Sequence, residues 1–121
     1  MVSITTGKAL EAMAALEEIR GQRICKEKAK ELYLLRKKLM EAYEFYREEQ
    51  AKIVKDLEIE TGENGDLLFG KDTEKLKKYQ AEKEELMAVW QEIGDRKIDL
   101  SGEEMDISEA FLEATEDLII I

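Results

Sequence analysis

Eight bases lie within residues 20 to 38, namely Arg20, Arg23, Lys26, Lys28, Lys30, Arg36, Lys37 and Lys38, against two acids, Glu27 and Glu31. On a chain of formal net charge −10 this local excess of positive charge is the largest departure from its average. Bases so clustered suit an anionic small molecule or an acidic partner, because each offers a charge and several N–H donors to phosphate or carboxylate oxygens. Residues 99 to 121 are the reverse, with eight acids and no base. The plainer reading of this segregation is a pair of solvated faces, or an acidic segment folded beside the basic one. In the latter case the bases would be covered.

Carboxylate pairs are the second candidate. Glu41 with Glu44, Glu82 with Glu85, Glu92 with Asp95 and Glu113 with Glu116 each set two acids on one helix face. Such pairs hold Mg²⁺ through oxygen ligands in all-helical nucleotide pyrophosphohydrolases. With 29 acids in 121 residues, chance placement alone yields roughly seven such pairs, so no metal site is assigned. The chain has no histidine, which removes a Ser-His-Asp triad, a Cys-His pair and the usual zinc sites. Cys25 sits among Arg23, Lys26 and Lys28, a setting that favours a thiolate if exposed. It also falls seven residues before Leu32, and a buried apolar role is expected of it. GENGDLLFG lacks the GK[ST] of a phosphate loop. No catalytic residue and no cofactor is assigned.

These groups must be positioned by helices. The chain of 121 residues is 44% apolar and 40% charged, without proline, a composition of long helices in one domain. Thr5 or Thr6 caps a first helix over 7–20, with Leu10, Met13, Leu16 and Ile19 as its stripe. Residues 23 to 59 contain neither glycine nor proline, and Leu32, Leu35, Leu39, Ala42, Tyr46 and Ile53 recur at three-four spacing. Tyr33, Leu34, Met40, Tyr43 and Phe45 widen that stripe beyond a two-stranded seam. TGENGDLLFG breaks the pattern at 60–71 as a turn or small hairpin, with positive φ expected at Asn64-Gly65. Leu76, Tyr79, Leu86, Trp90 and Ile93 predict a returning helix over 72–93. Residues 97 to 121 read as an extended segment, then a short helix opened by an Asp106–Glu109 capping box, and a terminal LIII that must dock somewhere. The fold expected is all-α: a long antiparallel helical hairpin, with a short N-terminal helix and the C-terminal segment packed on it. The eleven seam residues from Leu32 to Ile93 are packing surface, and the width of the stripe points to a homo-oligomer.

The acidic body repels nucleic acid and anionic lipid, and no helix-turn-helix or zinc signature supports sequence-specific DNA binding. Neither a signal peptide nor a run long enough to span a membrane is evident, and a lone cysteine suits a reducing compartment. The expected place is a cytoplasm or a virion.

The order of features, from ITTGKALEAMAAL through LYLLRKKLMEAYEFYREEQAKIV and the ENGD turn to KIDLSGEEMDISEAFLEATEDLIII, resembles a family of short helical phage proteins of uncharacterised function. Those proteins open on an S/T-N-x-x-L-like motif, run a basic helix into a long charged one, and close on an acidic segment ending in apolar residues. The resemblance covers nearly the whole chain, although Thr6-Gly7 stands where the family more often has a polar pair with asparagine. It implies a phage or prophage origin and a small accessory product, and carries no catalytic residues. The plan also resembles prefoldin-type subunits, but arms of 23–59 and 72–93 are too unequal for paired coils. Three functions follow: a non-enzymatic phage interaction protein with a protein partner; a counter-defence protein that inhibits a host factor or sequesters an anionic nucleotide through the basic segment; and a Mg²⁺-dependent nucleotide hydrolase.

Overall fold

The first helix begins where a threonine can cap it. In the computed structural model, which describes residues 2–121, Thr5 is extended and its hydroxyl accepts a hydrogen bond from the Lys8 amide at 3.2 Å. This satisfies one orphan donor of helix α1 (Thr6–Ile19). Its inward stripe is Ala9, Ala12, Leu16 and Ile19, with Leu10 and Met13 turned to half-buried positions. Two alanines on the inner face let neighbouring helices approach closely.

After a turn over 20–25, helix α2 (Lys26–Asp56) runs 31 residues, about 46 Å at 1.5 Å per residue. Cys25 is its N-cap and is exposed, which overturns the buried role expected of it: the helix starts after it, so the register of Leu32 does not extend back. The far end closes in a Schellman motif. The Ile59 amide donates to Val54 and the Glu58 amide to Lys55, while Glu58 takes a φ of 52°. Ile59, just beyond, is buried as that motif prefers.

Strands β2 (Glu60–Thr61) and β3 (Leu67–Leu68) then form a small antiparallel hairpin. Gly65 at its tip has φ 82°, the positive value that Asn64-Gly65 predicts. Asp72 caps helix α3 (Thr73–Met87), accepting from the Lys75 amide at 3.0 Å.

Here the all-α expectation fails. Helix α3 stops at Met87, and Trp90–Gly94 is strand β4, antiparallel to strand β1 (Val2–Thr5). Leu86, Trp90 and Ile93 fit a helical period, yet Val89, Trp90 and Ile93 are β-formers and a partner strand is present at the N-terminus. A bulge skips Ile93 between the Val2–Gly94 and Ser3–Glu92 pairs, so Ile93 is buried from a strand and not from a helical seam. Trp90 is 68% exposed. The junction is locked by Thr6, fully buried: its amide and hydroxyl both donate to the Val89 carbonyl, at 2.7 and 3.0 Å, and its hydroxyl accepts from Gln91 Nε2.

Strand β5 (Ile98–Asp99) pairs in parallel with β6 (Ile119–Ile120), and helix α4 (Glu109–Ala114) lies between them in sequence. Its cap is Ser108, not Asp106, and the Ser108 hydroxyl accepts from the Phe111 amide. The described residues hold four helices and three small sheets, 55% helix and 14% strand. A single long helical hairpin does not describe the fold. The core lies at one end: Ile4, Leu16, Leu39, Leu100 and Phe111 are nearly or wholly inaccessible, packed with Leu32, Leu35, Ala42, Ile93, Leu118 and Ile119. Leu118 and Ile119 thus dock the terminal apolar run, while Ile120 and Ile121 stay exposed.

Candidate functional site

The basic stretch does not form one patch. A helix turns about 100° per residue, so Arg36 and Lys38 point about 200° apart. Arg20 and Arg36 line one cleft, at the turn joining α1 to α2; Lys37 and Lys38 line a groove on the opposite side of α2. Arg23, Lys26 and Lys30 project into solvent. Lys28 pairs with Glu31 at 3.4 Å.

The groove, of about 630 Å³, runs between α2 and the turn joining β4 to β5. Its floor is apolar, with Leu34, Leu35, Ile93, Ile98 and Leu118, and Leu34 is 50% exposed. Its rim mixes signs. Lys38 faces Glu41 at 3.8 Å, and Arg96 reaches across to Glu31 at 3.0 Å. Arg96 escaped the sequence reading because it lies in a DRK turn, far along the chain from the basic segment. An apolar centre within a polar, mixed-charge rim is the anatomy of a protein-docking surface.

The cleft on the other side is smaller, about 210 Å³. Leu16, Ile19 and Leu32 form its floor, and Arg20, Arg36 and Tyr33 its walls. Gln22 at its edge is already occupied: its Nε2 donates to the Asp106 carbonyl at 2.8 Å, and its Oε1 accepts from the Asp106 amide at 2.7 Å.

The acidic segment reaches the helical body elsewhere. The Ser108 amide and hydroxyl donate to Glu18, and Lys8 Nζ donates to the Glu113 carbonyl at 2.6 Å and faces Glu116 at 3.8 Å. Among the described residues, no ion pair joins residues 99–121 to the eight bases of 20–38. Segment 99–121 packs chiefly on α1 through α4.

Of the expected seam, Leu32, Leu35, Leu39 and Ala42 are buried in the core, and Tyr79 and Leu86 are buried against α2. Tyr46, Ile53 and Leu76 are half-buried, and Trp90 is not in the seam at all. Among the described residues no three acids or cysteines converge as a metal cage. No helix is long and apolar enough to cross a membrane. No family model, no curated protein and no solved structure matches the chain.

Proposed function

We propose that this chain is a non-enzymatic interaction protein, a phage accessory or structural product of the host cytoplasm or the virion, that docks a protein partner. The observation that carries the reading is the groove along α2, where half-exposed Leu34 lies in an apolar floor ringed by Lys37, Lys38 and Arg96 and by Glu31, Glu41 and Asp95. A balanced rim of both signs around an apolar centre favours a folded or helical protein surface over a polyanion. A second copy of the chain is the first partner to test, since the exposed Tyr33, Leu34 and Met40 lie on the same helix.

A photo-cross-linking residue placed at position 34 tests this in cells expressing the chain. A discrete adduct is expected, lost when Lys37 and Lys38 are both changed to Glu. Adduct yield no higher than from the same probe at exposed Gln80 on α3 would remove the reading.

A second reading has one observation in its favour. Because, among the described residues, the acidic segment makes no ion pair with the bases of 20–38, it does not shield them from an anionic small molecule, as the counter-defence function requires.

A further inference from the structure

We infer that the cleft between the end of α1 and the start of α2 is a binding site for a single oxyanion, a phosphate monoester or carboxylate carried on a small apolar or flat group, with Arg36 as its principal ligand. The inference deepens the anion-binding reading and rests on it.

Three observations converge on this cleft. First, the Nε of Arg36 is buried and has no hydrogen-bond acceptor among the described residues. A buried donor on a charged group is costly to leave unmade. Arg36 also takes part in none of the ion pairs of the described residues. By contrast Arg20, Lys28, Lys38 and Arg96 each have a carboxylate within reach. Second, the walls are electropositive. Two arginines and no carboxylate line this cleft, whereas the groove on the other side of α2 carries Glu31, Glu41 and Asp95. On a chain of net charge −10 that is a local inversion. Third, the acidic segment stops short. Gln22 ties the backbone of Asp106 at the cleft's edge, yet no acid of 99–121 enters it.

Size and lining set the ligand class. The volume of the cleft is about 210 Å³. That is below the roughly 300 Å³ at which drug-sized ligand sites begin. A whole nucleotide therefore does not fit inside, but a terminal phosphate or carboxylate with a small body does. A guanidinium presents Nε and one Nη side by side, and an oxyanion accepts both in a bidentate pair once a turn of the Arg36 side chain brings its buried Nε to the cleft. Leu16, Ile19 and Leu32 then bury the ligand's body, and Arg20 can leave its exposed partner Glu17 at small cost.

The test uses the full chain and four probes: inorganic phosphate, phenyl phosphate, benzoate and neutral benzyl alcohol. Binding is followed by NMR on the arginine Nε–H resonances and on the methyl groups of Ile19 and Leu32. Saturable shifts of the Arg36 Nε–H and both methyls with phenyl phosphate or benzoate, and none with benzyl alcohol, are expected. Which of the two anions binds more tightly tells phosphate from carboxylate recognition. Arg36→Gln should weaken binding about ten- to hundredfold, and Arg36→Lys, which keeps the charge and loses the fork, nearly as much. Arg20→Gln, at an exposed position where misfolding is not expected, should weaken it severalfold. Binding that survives Arg36→Gln unchanged overturns this site and leaves the broader anion reading standing. Absence of saturable shifts with every anion overturns both.

Discussion

The molecule has two regions built on the same helix. Around the N-terminal half of α2, helices α1 and α4 and strands β1, β4, β5 and β6 close a head with one continuous core. Beyond Ala42, the C-terminal half of α2, the β2–β3 hairpin and α3 form an arm in which only Ile59, Tyr79 and Leu86 are buried. The apolar spacing is alike in both. What differs is the number of neighbours: the head surrounds α2, whereas the arm offers it one helix. A broad stripe needs more than one partner to disappear from water, so Tyr43, Phe45, Tyr46, Ile53 and Leu76 remain half-buried. Periodicity thus marks which face is apolar, and the count of packing elements decides how much of it is hidden.

The largest expected contrast is between one aromatic of each region. Phe111 is wholly buried in the head, and Phe111→Ala should cost about 3–5 kcal/mol. Denaturant unfolding should show the whole transition moved to a lower midpoint. Tyr79 in the arm packs tilted against Phe69 with ring centroids 5.4 Å apart, and its hydroxyl accepts from Gln50 Nε2 at 2.8 Å. Tyr79→Ala should cost about 2 kcal/mol, the arm being free to collapse around the gap. Amide exchange should then quicken in α3 and residues 43–56 while the head stays protected. Equal losses of protection in both regions would erase the distinction.

A smaller change of opposite sign is available in the arm. Glu58 occupies the left-handed position of the Schellman motif, where glycine costs nothing sterically. Glu58→Gly should stabilise the arm by about 1 kcal/mol, read as slower exchange at the end of α2. Little effect is expected on the head.

The smallest effects come with pH, and they run in opposite directions. Burial raises the Tyr46 phenol above its ordinary value, helped by neighbouring Tyr79 and Tyr43. A raised folded pKa means the contribution is intact below the unfolded value and is lost as pH rises through the folded one. The arm should therefore loosen first in alkali, with Tyr46 ionising late in an ultraviolet titration. In the head, Asp99 is lowered, mainly because its carboxylate accepts hydrogen bonds from the Ser101 hydroxyl and then the Ser101 amide. A lowered folded pKa makes a contribution present above the unfolded value and lost as pH falls through the folded one. Asp99→Asn should remove that acid-side dependence, seen by NMR at the Ser101 amide, without changing the alkaline behaviour of the arm.

Much of the helical plan is legible from residues alone. The Thr5 cap, the uninterrupted run of α2 and the positive φ at Gly65 all follow from local rules of capping, period and turn chemistry. The β1–β4 pairing does not, because Val2–Thr5 and Trp90–Gly94 are some ninety residues apart and each is ambiguous by itself. The candidate sites divide in the same way. The bases of 20–38 are visible as a cluster, but their split into an Arg20–Arg36 cleft and a Lys37–Lys38 groove follows from helix phase and from what packs on each side.

The amino-acid sequence by itself determined the long charged helix, the turn at Asn64-Gly65 and the Thr5 cap, since those depend on neighbours within a few positions. Tertiary structure alone decided that α3 gives way to a strand, that Arg96 meets Glu31, and that the Arg36 Nε is left without an acceptor among the described residues. Each of those depends on which distant segment arrives, and the free energy of such contacts is realised only when both partners are in place.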